Sequence, residues 1–217
     1  MTLTLFLLLS QNPDRPAQLP PPVPSGETRI FLVRHAEKDT TVKTCPEGGS
    51  KCVPLTAAGE ARAAELARLL KAHPLQGIFA TDYKRVHDTA RPSDRTPSLL
   101  VVFPAREQVD RVLAEIAPHP GTYLVVTHSD VVVPFLRRLL ADDTIAITAG
   151  ALPPATTPGG MSTAQPSSVI IDDPDYDNLF LITLRPSGEK TCQHFFYGAK
   201  TAGQLAVTRC TVQGRVP

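Results

Sequence analysis

The sequence predicts an α/β fold: a three-layer sandwich with a mainly parallel central sheet flanked by helices. Two observations carry this. Short apolar runs rich in β-branched residues alternate with longer segments of helical periodicity, the pattern of strands joined through crossover helices. Within the runs, apolar residues stand at consecutive positions rather than at every second one, as expected of strands covered on both faces.

Taken in order, the first strand is 30–33 (IFLV). Thr56 then N-caps a helix through AAGEARAAELARLLKA, in which Gly59, Ala63, Leu66, Leu69 and Leu70 form the buried face. Glu60, Arg62, Glu65, Arg68 and Lys71 are expected to stay solvated. A strand at 77–81 (GIFAT) leads into a second helix after Asp82, and SLLVVF (98–103) is the next strand. A third helix carries Val109, Val112, Leu113 and Ile116, and TYLVVT (122–127) returns to the sheet. The following VVVPFLRRLLA is helical; with Asp130 as N-cap, Pro134 falls in the first turn, where its missing N–H does no harm. NLFLITL and the runs TCQHFFYG and QLAVTRC add further strands.

A chain of 217 residues is long enough for one sizeable core, so residues 28–217 read as a single domain behind a proline-rich tether, 1–27. The stretch 141–168 is irregular and long for a connection, either a lid over the site or a mobile loop. The opening MTLTLFLLLS is too short to span a bilayer and lacks a basic n-region and an A-x-A cleavage site. It reads either as the remnant of an export signal or as a disordered tail. With 22 basic against 21 acidic side chains, net charge +1, no broad field draws the chain onto nucleic acid or an acidic membrane. Any bound anion is held locally.

The four cysteines divide into two sensible pairs. Cys45 and Cys52 flank a short loop without C-x-x-C spacing, which suits a local disulfide better than zinc. Folding the tail as a hairpin about residue 201 puts Cys192 opposite Cys210, within disulfide reach. Paired cysteines favour an oxidising compartment, periplasmic or secreted; four buried free thiols in a cytoplasmic protein are the alternative.

The first strand ends in charge, at RIFLVRHAEK. His35 follows one strand and His128 another, and in open α/β sheets ligands bind beyond the carboxyl ends of the strands. Arg34 stands beside His35, and Arg85 lies near the start of the helix after GIFAT. Two guanidiniums and two imidazoles form a compact site for a phosphate-sized anion, because arginine binds phosphate oxygens through its planar fork.

VRHAEK, LTAAGEARAAELARLL, ATDYKRVHDTA and LVVTHSDVVVPFL, in this order over about residues 28–140, resemble the histidine phosphatase superfamily of phosphoglycerate mutases and phosphatases. The later DYDNLFLITL resembles the closing strand of small bacterial members. The resemblance implies that His35 is the nucleophile that becomes phosphorylated, that Arg34 and Arg85 hold the phosphoryl oxygens, and that His128 hydrogen-bonds them. It implies a small phosphorylated substrate and no cofactor or metal, the arginines supplying the positive charge. Ala36 replaces the glycine found in many relatives, a small-for-small exchange. Oligomeric state is left open.

The sequence departs from the family at the general acid. Some relatives place a glutamate downstream of the second arginine, others an aspartate directly after the second histidine. Here Ser129 follows His128 and Asp130 comes one position late, while Glu107 is the one glutamate at a plausible distance after Arg85. Glu107 is therefore the tentative acid. The expected activity is a metal-independent phosphatase acting through phosphohistidine. The alternatives are a phosphate-binding or scaffold protein that has lost turnover, or a phosphomutase. Glu37 and Lys38 either orient the site, touch substrate, or are a solvated pair.

Overall fold

The computed structural model describes residues 14–22, 26–46, 48–96, 99–149, 170–171, 175–201 and 205–217. The elements run β1 (Thr28–Arg34), α1 (Ala57–Leu69), β2 (Gly77–Thr81), α2 (Lys84–Ala90), β3 (Leu100–Phe103), α3 (Gln108–Ile116), β4 (Thr122–Thr127), α4 (Val132–Leu140), β5 (Ile147–Ala149), β6 (Asn178–Leu184), β7 (Lys190–Tyr197), β8 (Leu205–Val207) and β9 (Thr211–Val216). Seven strands form one sheet in the order β3-β2-β4-β1-β6-β7-β9, while β5 and β8 pair separately. β1 to β4 are mutually parallel, and β6 lies antiparallel between β1 and β7.

Alternation along β1 explains the three layers. Ile30 and Leu32 face one side, packed with Val112 and Ile116 of α3 and Phe135 and Leu136 of α4. Phe31 and Val33 face the other, packed with Leu66 of α1 and Val86 and Ala90 of α2. Both faces of the central strands are thus dry, which is why these runs lack polar alternation. Thr56 caps α1 as expected, its side chain accepting from the Gly59 N–H at 3.1 Å.

Several expectations are corrected. β3 is the edge of the sheet, and Val101 and Val102 are exposed rather than covered. Arg62 is buried, not solvated, because it reaches a carboxylate far away in sequence. The N-cap of α4 is Val131, not Asp130: the Val131 and Val132 N–H groups both bond the His128 carbonyl in a turn that precedes the helix, so the helix starts one residue later, and Pro134 still falls in the first turn.

The tail is not a hairpin. β9 runs parallel to β7, because the chain leaves the main sheet through β8, which pairs with β5. Cys192 and Cys210 are nonetheless bonded: Gln193 pairs with Thr211, which brings the preceding residues level. Cys45 and Cys52 form the second disulfide. Within 141–168, residues 147–149 are strand β5, and the expected lid at 150–168 lies outside the described residues, as does the 1–10 segment. Residues 15–17 of the tether run beside β9, with the Ala17 N–H on the Arg215 carbonyl at 2.8 Å. Among the described residues, no helix is long and apolar enough to cross a membrane.

Candidate active site

β1 and β4 end level, Arg34 pairing with Thr127, and the His35 N–H bonds the Thr127 carbonyl at 2.8 Å. His35 and His128 therefore leave adjacent strands side by side, with ring centroids 5.8 Å apart. Arg34, His35 and His128 are all buried.

The protonation of His35 follows from its contacts. Nδ1 lies 2.8 Å from the Ala36 carbonyl, which can only accept, so Nδ1 carries the proton. Nε2 then presents a lone pair, and Arg85 Nε donates to it at 3.1 Å. Burial, joined by the charges of Arg34 and Arg85 and outweighing the Ala36 hydrogen bond, lowers the His35 pKa to about 3. The ring is neutral across the physiological range.

Arg85 is aimed by its surroundings. Thr89 accepts from the Ala36 N–H at 2.9 Å and donates to the Arg85 carbonyl at 2.7 Å, pinning α2 to the turn after His35. The Arg85 guanidinium lies 4.6 Å over the Tyr83 ring and donates to the Ser50 carbonyl at 3.2 Å. Arg34 donates to the Ile171 carbonyl at 3.3 Å and stacks 4.2 Å over Tyr176, so the chain that arrives before β6 closes that side.

His128 Nε2 lies 2.9 Å from the Thr81 hydroxyl at the end of β2. Burial, then the Arg85 charge, lowers its pKa to about 4 against the opposing pull of Asp130 and Asp82. Tyr83 meets the His128 ring edge-on at 4.7 Å. Buried Gln108 supports the strand below, donating to the Val126 carbonyl at 2.8 Å and accepting from the Thr127 hydroxyl at 2.6 Å.

Glu37 is a supporting residue rather than a solvated one. Arg62 grips its carboxylate through two nitrogens, Nε at 2.9 Å and Nη2 at 2.7 Å, and also donates to the Tyr197 and Ala199 carbonyls. The Glu37 carbonyl accepts from the Thr56 N–H at 2.9 Å. The turn carrying His35 is thereby fastened to α1 and to the end of β7.

The structure thus brings together His35, Arg34, Arg85 and His128. Glu107 stands apart at the N-cap of α3, its carboxylate 3.5 Å from Arg106, and among the described residues no contact joins it to the histidine pair. Asp130 is exposed and acts on His128 and Arg85 through its charge. Asp82 pairs with Lys51. Sequence reasoning missed Tyr83, Thr89, Gln108, Tyr176 and the Ser50 and Ile171 carbonyls. Tyr83 and Thr89 lie within ATDYKRVHDTA and were open to inspection; the others arrive from distant segments with no local signal.

Chemically, a phosphate-sized anion placed here meets two guanidiniums and a neutral imidazole whose Nε2 lone pair, held by Arg85, faces the same space. Residues 30–103 match the model of the histidine phosphatase superfamily (branch 1). No curated protein sequence matches the chain. Among solved structures, the protein histidine phosphatase SixA complexed with tungstate is similar at 16% identity and a TM-score of 0.51, with 78% of this chain and 97% of that one covered. Mycobacterial hydrolase 1 is similar at 15% identity and 0.50, covering 80% and 100%. The mycobacterial glucosyl-3-phosphoglycerate phosphatase Rv2419c is similar at 14% identity and 0.50, covering 78% and 99%. At these identities the likeness is one of fold.

Proposed function

We propose that the chain is a member of the histidine phosphatase superfamily, whose model its residues 30–103 match, and that it hydrolyses phosphate monoesters without a metal, through a phosphohistidine at His35. The observation that carries this reading is the His35 tautomer: Nδ1–H is held by the Ala36 carbonyl, so the Nε2 lone pair faces the guanidinium of Arg85. In the first step Nε2 bonds to phosphorus as the ester P–O bond breaks. Arg34, Arg85 and His128 stabilise the charge spread over the three equatorial oxygens. In the second step water attacks the phosphorus, the N–P bond breaks, and inorganic phosphate leaves.

Glu107 and Asp130 are the carboxylates that the sequence offers as acids, and neither touches the histidine pair. On this reading neither Glu107 nor Asp130, both among the described residues, protonates the leaving oxygen. The two disulfides favour a periplasmic or secreted site of action.

The test is steady-state turnover of a panel of phosphate esters by the pure protein and by His35→Ala. Release of phosphate by the wild type that His35→Ala lacks is expected. Phosphate binding with no turnover of any ester would instead favour a protein that has kept the pocket alone.

A further inference from the structure

Arg85 differs from Arg34, the other arginine of the site, in burial: Arg34 is buried, whereas Arg85 is half-buried and extends from the first turn of α2 on a long, rotatable stem, so its direction must be set by what it touches. Three contacts are available. The bond from Nε goes to His35 Nε2, the atom that must turn to phosphorus when substrate arrives. The Tyr83 ring offers a face, which fixes distance more than direction. The directional contact that can persist with substrate bound is the donation from Nη1 to the Ser50 carbonyl at 3.2 Å.

Ser50 belongs to the loop closed by the Cys45–Cys52 disulfide, whose Cα atoms are 6.1 Å apart. Inside it, the Cys45 and Gly49 backbones exchange hydrogen bonds, both at 3.2 Å. The next residue, Lys51, pairs with Asp82 at the turn from which α2 starts. The loop is therefore fastened at both sides of Arg85: to its guanidinium and to the root of its helix.

We infer that the disulfide-closed loop Cys45–Cys52 is a positioning element for Arg85, acting through the Ser50 carbonyl and the Lys51–Asp82 pair, so that phosphate affinity depends on the intact disulfide. The inference deepens the phosphatase reading and rests on its assignment of Arg85 to the phosphate. The other disulfide supplies an internal control. Cys192 pairs with Ile182, and Ile182 with Ile30, which sets it at the opposite end of the sheet from Arg34. It is also buried, whereas Cys45 and Cys52 are half-exposed.

The experiment is calorimetric titration of the full chain with inorganic phosphate. Cys45→Ser/Cys52→Ser is expected to raise the Kd about tenfold, the scale of a hydrogen bond to a charged group. In an Arg85→Ala background the same change should move it by less than about twofold, because the loop then has nothing to aim. Cys192→Ala/Cys210→Ala should lower the Tm and leave the Kd unchanged. If the Cys45 and Cys52 variant does not fold, Lys51→Met with the disulfide intact should raise the Kd about threefold, again only while Arg85 is present. An unchanged Kd in the folded variant, or an equal rise without Arg85, overturns the inference. Wild-type protein that binds phosphate yet hydrolyses no ester refutes the phosphatase reading and leaves this test intact.

Discussion

Arg62 of α1 and Glu37, two residues beyond His35, form a forked ion pair in which the arginine side chain is 2% exposed and the glutamate 20%. The pair crosses from helix to the turn after His35. The guanidinium is saturated by the carboxylate and by two backbone carbonyls at the end of β7, so one side chain fastens three segments together.

Removing one partner of such a pair strands the other. Arg62→Leu is expected to lower the unfolding free energy by about 3 kcal/mol, the low end for broken buried pairs, because Glu37 keeps some contact with water. Urea unfolding measures this. Glu37→Gln keeps the hydrogen bonds in part and should cost less; the reverse order would contradict the account.

Gly59→Ala is a test of packing against propensity. Alanine is the better helix former by about 1 kcal/mol, but a Cβ at this position would lie 2.4 Å from the Glu37 carbonyl oxygen. Backbone on both sides must separate, so the substitution is expected to destabilise by about 1–3 kcal/mol. A stabilised Gly59→Ala would show that the turn after His35 is loosely held.

Four buried imidazoles set a pH dependence; burial lowers the pKa of His73 as well as those of the three that shift furthest. His35, His128 and His194 are held at about 3, 4 and 3, burial being the largest cause in each. The unfolded chain takes up these protons near the ordinary value of 6.5, while the folded chain refuses them until pH 4 or below. Between those limits the unfolded state binds more protons, so stability is full above 6.5 and falls as the pH drops, by about 1.4 kcal/mol per pH unit for each proton. Urea midpoints at pH 7.5, 6 and 5 should fall in that order, and His128→Asn should make the fall shallower. For the same reason kcat/KM should show no acid limb near 6.5.

Because neither Glu107 nor Asp130 touches the histidine pair, the proposed reaction leaves the departing oxygen with nearly full negative charge. Aryl phosphates of graded leaving-group pKa should therefore show a steep fall in kcat/KM, and alkyl esters should react far more slowly. Glu107→Gln and Asp130→Asn should each change kcat/KM by less than about tenfold, since a general acid contributes about 100-fold or more. A flat series with a large loss in either variant would identify the acid.

Much of this molecule is legible in its sequence because strand ends are local features. The apolar runs give β1, β2 and β4, and the residues just beyond them give Arg34, His35 and His128, with Arg85 following from the helix after β2. What escapes is whatever depends on a distant partner. Arg62 carries a charge on a helix and reads as solvated until Glu37 is seen opposite it. Val101 and Val102 read as buried until β3 is found at the sheet edge. The tail reads as a hairpin because its two runs are adjacent in sequence, and only the pairing of β8 with β5 makes β9 return parallel. Tyr176 reaches Arg34 by a route that no local pattern records.

The central claim is the covalent one, that His35 Nε2 takes the phosphoryl group. Rapid quenching of the enzyme during turnover of a radiolabelled aryl phosphate tests it most directly. A phosphoramidate is labile to acid and stable to alkali, so the account predicts label with that profile on the peptide containing His35, absent from His35→Ala. Turnover retained in His35→Ala, or label on any other residue, would contradict it.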